Sequence, residues 1–108
     1  MDAKTHAQYE ARARIIKAIA HPTRLFVVDE LFRRGEHCVC ELTEMVGVDM
    51  STISRHLAIL RGAGLVEYHK RGTQVLYRVR AGCIVAFLEC IDAIVACNGR
   101  NRCGWPSP

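Results

Sequence analysis

The stretch MSTISRHLAILRGAGLVEYHKRGTQVLYRV (residues 50–79) decides the fold. Its first part reads as a helix. Ser51 is a good N-cap, and Ile53, Leu57 and Leu60 recur at helical spacing to form one apolar face. Gly62 and Gly64 close that helix. Beyond them, Leu65 to His69 and Gln74 to Val79 are short runs rich in Val, Leu and Tyr, as strands are, with Lys70-Arg71-Gly72-Thr73 as the hairpin loop between them.

Working back from this stretch, a short helix is expected from about Cys38 to Val46, ended by Gly47. Before it, Pro22 and Thr23 open a longer helix, since proline is tolerated at a first helical position. Leu25, Val28, Leu31 and Phe32 form its buried stripe, and Gly35 stops it. The pair His21-Pro22 ends a first helix running from Thr5 to Ala20, because a residue before proline avoids the helical region. In that helix Tyr9, Ala13, Ile16 and Ala20 recur at helical spacing. On the other side, Gly82 to Ala96 is strongly apolar and long enough for a last helix ending at Asn98-Gly99. The tail, residues 100–108, has two prolines and a glycine and is expected to be loose. The fold class is therefore α+β and mostly helical, with five helices and a two-stranded hairpin. Two helices joined by a glycine-containing turn and followed by a basic hairpin make a winged helix-turn-helix. At 108 residues the whole chain, 1–108, is one domain with one core.

Half of the residues are apolar but only 6% are aromatic, which suits helices packed through Ile, Leu, Val and Ala. The apolar stretches are too short and too interrupted by charge to span a bilayer, so no membrane partner is expected. Residues 1–9 are polar and carry no signal-peptide core, which points to the cytoplasm. The net charge of +4 becomes informative once located. Residues 51–80 hold Arg55, Arg61, Lys70, Arg71, Arg78 and Arg80 against the single acid Glu67, so this segment carries +5 and the remainder −1. One basic segment is the footprint expected of a nucleic-acid binder, although a basic face that merely meets solvent would look the same on charge alone.

On the helix after Met50, the residues not needed for the core are Ser51, Thr52, Ser54, Arg55 and His56. Short hydroxyl side chains allow close approach to a duplex, and arginine can make two parallel hydrogen bonds to guanine. Ser51 and Thr52 lie where free backbone N–H groups would also favour a phosphate. Arg61, at the far end, suits the DNA backbone. His69, Lys70, Arg71, Thr73 and Gln74 on the hairpin suit phosphates or the minor groove. Each of these residues alone fits an inert hydrophilic surface better. Together with the hairpin and the placement of charge they favour double-stranded DNA. His56, beside Leu57, suits a partly buried structural role equally well.

The segment from Met50 to Leu60 resembles the recognition helix of the ArsR/SmtB family of metal-sensing repressors. Glu36-His37-Cys38-Val39-Cys40-Glu41-Leu42 resembles the metal box of its arsenic and cadmium sensors. His21-Pro22-Thr23-Arg24 is similar to the family's helix junction, and Gly62-Ala63-Gly64-Leu65-Val66 to its approach to the wing. The resemblance spans roughly residues 10–95. It implies a homodimer formed through the first and last helices, binding an inverted repeat in operator DNA near a metal-resistance operon. It also implies release when As(III) or Sb(III), or alternatively Cd, Pb or Zn, binds cysteine thiolates.

Six cysteines in a chain expected to be cytoplasmic read as reduced thiols. Cys38 and Cys40 are the strongest signal. Residues two apart in an ideal helix point about 200° away from each other, so both sulfurs can hold one small ion only where that turn is irregular or unwinds. Thiolates suit arsenite, cadmium, lead and zinc. Two small buried hydrophobes would be the plain alternative. The third ligand is open. Where one arsenic-sensing subgroup has a third cysteine this chain has Thr43, no cysteine precedes Cys38, and no histidine follows His69 to join Glu89 and Asp92 on the last helix. Cys83, Cys90 and Cys97 are seven apart, about 10.5 Å along a helix at each step, so no two share an ion. Cys83 and Cys90 are expected in the dimer core. Cys97 or Cys103 is a candidate to complete a site with Cys38 and Cys40, in the same chain or across the dimer; alternatively the two form a separate site of their own. Three rivals stand beside this reading. One is a thiol-redox repressor using Cys38–Cys40 or Cys97–Cys103, one a repressor with no inducer, and one a thiol enzyme. The enzyme has neither a Cys-x-x-Cys motif nor a phosphate-cradling loop to support it.

Overall fold

A computed structural model describes residues 1–99. The elements run α1 (Ala3–Ile19), α2 (Pro22–Arg34), β1 (His37–Cys38), α3 (Val39–Val46), α4 (Met50–Gly62), β2 (Val66–Arg71), β3 (Gln74–Val79) and α5 (Ile84–Asn98). The expected loose tail lies outside the described residues.

Local chemistry explains most of the boundaries. At α2, Pro22 occupies the first turn, where its missing N–H costs nothing, while His21 Nδ1 accepts the Thr23 N–H at 3.0 Å. Gly47 ends α3 in the left-handed region at φ 81°, a conformation that penalises a side chain. The N-cap of α4 is Asp49 rather than Ser51. Its Oδ1 accepts the Thr52 N–H at 2.8 Å, and the Ser51 hydroxyl donates to the same carboxylate at 3.3 Å. A carboxylate beside the positive end of a helix gains on both hydrogen-bonding and dipole grounds, so the helix starts earlier than the serine indicated.

The core is where α2, α3 and α4 meet the base of the sheet. Val27, Val28, Leu31, Leu42, Ile53, Leu57, Leu60, Leu65 and Val66 are all buried, as are Ala18 and Ile19 of α1 and Ile84 and Leu88 of α5. The α4 stripe is the expected one. The α2 stripe is rotated from expectation: Val27 is buried, whereas Phe32 is 49% exposed. On α1 the expected stripe also faces out, with Tyr9 and Ile16 exposed and Ala18 and Ile19 inside. Two further boundaries moved. Strand β2 reaches Arg71, so the turn is only Gly72-Thr73, with Arg71 paired to Gln74. Gly72 takes φ 65° at the first of those two positions, as a two-residue hairpin matched to strand twist requires. The sheet also has a third strand. β1 pairs antiparallel with β3 in the order β1-β3-β2, placing Cys38 opposite Leu76 and His37 opposite Tyr77.

Candidate nucleic-acid interface and thiol site

Ser51, Ser54 and Arg55 are exposed along the outer side of α4, and Thr52 is half-buried. The Arg55 guanidinium donates to Thr52 Oγ1 at 3.4 Å, a weak contact that leaves most of its donors free. One expectation fails here. The Thr52 N–H is not free for phosphate, because Asp49 takes it. The hydroxyl and the N–H of Thr52 together hold the Asp49 carboxyl below its ordinary range.

On the wing, exposed Lys70, Arg71, Thr73 and Gln74 surround the turn. Cross-strand pairing removes another cation. Glu67 lies opposite Arg78 and accepts from its Nε at 2.8 Å and from Nη2 at 2.7 Å, with Arg80 Nε 3.9 Å away. On α4 and around the hairpin turn, the exposed cations without a carboxylate partner are Arg55, Arg61, Lys70 and Arg71. The Arg61 guanidinium rests 4.9 Å from the centre of the Tyr68 ring, and Tyr68 meets Tyr77 edge-on at 5.5 Å. This cation–π contact leaves the guanidinium edge free for a phosphate. His69, a hairpin candidate, pairs with Glu36 just before β1 and holds that carboxyl below its usual range.

His56 is committed to the scaffold. Its Nδ1 accepts from Arg24 Nε at 3.2 Å and its ring lies 4.4 Å from that of His21. Arg24 had no role in the sequence reading beyond the family resemblance at His21-Pro22-Thr23-Arg24, and Tyr68 and Asp49 had none. Only Asp49 left a legible signal, an acidic cap residue directly before an apolar-periodic run.

Cys38 and Cys40 bracket the strand-to-helix junction. Cys38 is the last residue of β1 and the N-cap of α3, with extended backbone at φ −81° and ψ 165°, so the two cysteines do not share a regular helical turn. Cys38 is half-buried and Cys40 exposed, and both are free thiols. Glu41, three residues on, closes a capping box by accepting the Cys38 N–H at 3.1 Å. Its other oxygen lies 3.3 Å from His37 Nδ1. The Glu41 N–H favours the Cys38 thiolate, but burial and the neighbouring Glu41 and Cys40 outweigh it, so the thiol pKa is raised.

The pair offers two sulfur donors of the kind arsenite takes. Among the described residues, no group of three His, Cys, Asp or Glu side chains converges to hold a metal. Cys97, half-buried near the end of α5, is not brought into such a group, and Cys103 lies outside the described residues. Cys83 and Cys90, expected in a dimer core, are exposed on this single chain.

A helix pair followed by a basic hairpin, built on one small core, defines a winged helix-turn-helix protein. The model for the bacterial regulatory protein arsR family matches residues 21–68. An uncharacterised HTH-type transcriptional regulator of Methanocaldococcus jannaschii is 34% identical over 87 residues, 81% of this chain and 98% of that protein. The arsenical resistance operon repressor of Bacillus subtilis is 44% identical over 61 residues, covering 56% of this chain and 58% of the repressor. Among solved structures, NolR from Sinorhizobium fredii matches with a TM-score of 0.79 and 28% identity, over 87% of this chain and 93% of that one. The chain belongs to the ArsR family and is a transcriptional regulator rather than an enzyme.

Proposed function

We propose that this regulator is a homodimeric repressor that leaves its operator when arsenite or antimonite binds the thiols of Cys38 and Cys40. The observation that carries the reading is the position of that pair. Cys38 is hydrogen-bonded through β1 to β3, the central strand of the wing, and Cys40 stands in the first turn of α3, which packs on α4. A ligand that draws the two sulfurs together acts on the wing strand and on the support of the DNA-reading helix at once.

The chemistry is ligand exchange. Each thiol gives its proton to a hydroxide leaving arsenic as water while one As–S bond forms, with no change of oxidation state. Cys38 and Cys40 supply two bonds, and a third thiol, from Cys97 or Cys103 of either chain, completes the three that arsenite favours. Cadmium, lead or zinc is a weaker fit, because the four-ligand sets of the metal sensors are incomplete in this sequence. Cys38 is the extended N-cap and Cys40 lies in the first turn of α3, so drawing both sulfurs onto one arsenic acts on that junction. A ligand that favours a different arrangement from the one DNA selects shifts the population away from the bound form.

DNA contact in this reading comes from Ser51, Thr52, Ser54 and Arg55 in the major groove, with Arg61, Lys70, Arg71 and Thr73 on phosphates. An inverted repeat matches the two-fold symmetry of a dimer. The apolar strip along α1 and α5 supports association through those helices: Ile16, Phe87, Ile94 and Val95 are all exposed on the single chain.

The test is fluorescence anisotropy on a duplex selected by the protein from a randomised pool, with arsenite titrated into reduced protein. Arsenite should release the wild type and leave Cys38→Ser/Cys40→Ser bound. Release of both would remove the pair from the sensor. Release of neither, with release by peroxide, would select the thiol-redox alternative.

A further inference from the structure

We propose that Arg24 and His56 form a latch that seats the recognition helix α4 on its scaffold, and that the latch opens when His56 takes up a proton, making operator binding acid-sensitive. The inference rests on the DNA-binding role given to α4 above.

Arg24 sits on α2 and its guanidinium ties three helices together. Its Nη1 donates to the Ala18 carbonyl at 2.9 Å and to the Lys17 carbonyl at 3.4 Å, at the end of α1. Its Nε donates to His56 Nδ1 at 3.2 Å on α4. The Ala18 carbonyl lies in the last turn of α1, where a helix leaves acceptors without intrahelical partners, whereas the Lys17 carbonyl also accepts the Ala20 N–H at 3.3 Å; a fixed cation at this end is favoured by the helix dipole. Arg24 is therefore held from α1 and offers one remaining edge to α4.

That edge fixes the state of the histidine. A guanidinium has donors only, so His56 must present a bare Nδ1 and carry its single proton on Nε2. The doubly protonated ring has two donors and a positive charge, which turns the contact from attraction to repulsion. The charged and titratable groups acting on His56 are all basic: His21 from the α1–α2 junction, Arg24 from α2, and Arg55 on α4 itself. Burial first, then these three, push the imidazole below its ordinary value of 6.5.

The sign follows directly. A base whose folded pKa is depressed contributes stability that is complete above its unfolded value and is lost as pH falls through the folded one. Here the folded state that suffers is the one with α4 seated. Arg55, proposed to read bases, directly precedes His56 on the helix, so a change of seat moves the reading residue.

A direct phosphate contact by His56 makes the opposite prediction, which allows a decisive test. Coupling is reciprocal. If protonation opens the latch, operator DNA must lower the His56 pKa, whereas a phosphate touching the ring would raise it. The experiment is an NMR titration of the His56 imidazole, free and bound to a duplex selected from a randomised pool. It is paired with anisotropy at about pH 7.5 and about pH 5.5, the interval in which histidine changes charge. We expect DNA to shift the His56 titration to lower pH, and affinity to fall at least about fivefold on acidification, the lower end of usual coupling. His56→Gln keeps an acceptor for Arg24 but cannot titrate, and should bind with less than about a twofold fall over the same interval. An upward shift on DNA, a flat wild-type profile, or an equal fall in His56→Gln would overturn the latch. So would an acid loss that circular dichroism shows to be global unfolding. Failure to select any duplex at either pH would overturn the DNA reading and the latch with it.

Discussion

Arg55 and Arg71 are both exposed cations, yet the proposed reading gives them different work. Arg55 projects from the first half of α4 with its guanidinium only lightly held by Thr52, while Arg71 stands beside the hairpin turn. A residue that reads a base edge contributes to discrimination, and one that meets a phosphate contributes equally on every sequence. Arg55→Ala should therefore weaken specific binding about 5- to 100-fold more than non-specific binding, the worth of one bidentate base contact. Arg71→Ala should weaken both alike and reduce the slope of log K against log salt by about one. Equal losses on both duplexes would remove the base-reading role from Arg55. Arg61 adds a second case, because its cation is placed before DNA arrives by the face of Tyr68, itself fixed by Tyr77. An exposed cation–π contact contributes about 0.5–1 kcal/mol. Tyr68→Leu should thus cost about two- to fivefold in operator affinity in the wild type and nothing further in Arg61→Gln, while Tyr68→Phe, which keeps the ring, should bind normally. Anisotropy titrations on the four combinations measure this, and additive losses would mean that Tyr68 acts on the wing alone.

At the scale of elements, α4 shows how far the sequence carries. Its three core residues were legible because Ile53, Leu57 and Leu60 are large, aliphatic and spaced for one face, and they are the residues found fully buried. Leu57→Ala should lower unfolding free energy by about 2–5 kcal/mol in urea titration, with the usual cavity cost, and a smaller loss would show that the site collapses around the gap. Its start was misread because Ser51 and Asp49 are both good caps, and only geometry decides which side chain reaches the third N–H of the helix. Asp49→Ala should lower the urea midpoint at constant slope, with Asp49→Ser restoring most of the loss. β1 was not legible at all. Two residues give no alternation to read, and the strand exists because β3 offers it an open edge. The thiol site was half-visible for the same reason. The cysteine pair stood out in the sequence, whereas its attachment to the wing depended on that pairing. Glu41 has the spacing of a capping box from Cys38, but cysteine is an unusual cap and masks that signal. His56 could not be assigned from periodicity, as its partners Arg24 and His21 are more than thirty residues away in the chain.

For the whole molecule, an extended shape and exposed apolar helices support the proposed dimer. The radius of gyration is 16.5 Å, against about 13 Å for a compact domain of this length. α5 is a 15-residue helix of strongly apolar sequence, yet only Ile84 and Leu88 are buried. Along its far half Ile91 is 36%, Ile94 55% and Val95 65% exposed. A groove of about 460 Å³ between α1 and α5, lined by Ile15, Ile16, Ile19, Leu65, Ile84 and Phe87, continues the same surface. Apolar area on this scale is costly to leave in water, and in the proposed dimer a second copy of the strip would cover it in an isologous contact. Ile94→Glu tests this, because the change places a charge where a partner would bury it while leaving the core of its own chain untouched. Sedimentation should show wild-type dimers and Ile94→Glu monomers at the same concentration. Circular dichroism of the variant should retain the helical signal of α2 to α4. Operator affinity should drop by far more than a single lost contact explains, since a monomer reaches only one half-site. If the variant sediments as a dimer, the interface lies elsewhere. If it becomes monomeric and still binds the full operator as tightly, two half-sites are not read together, and the symmetry argument for an inverted repeat falls.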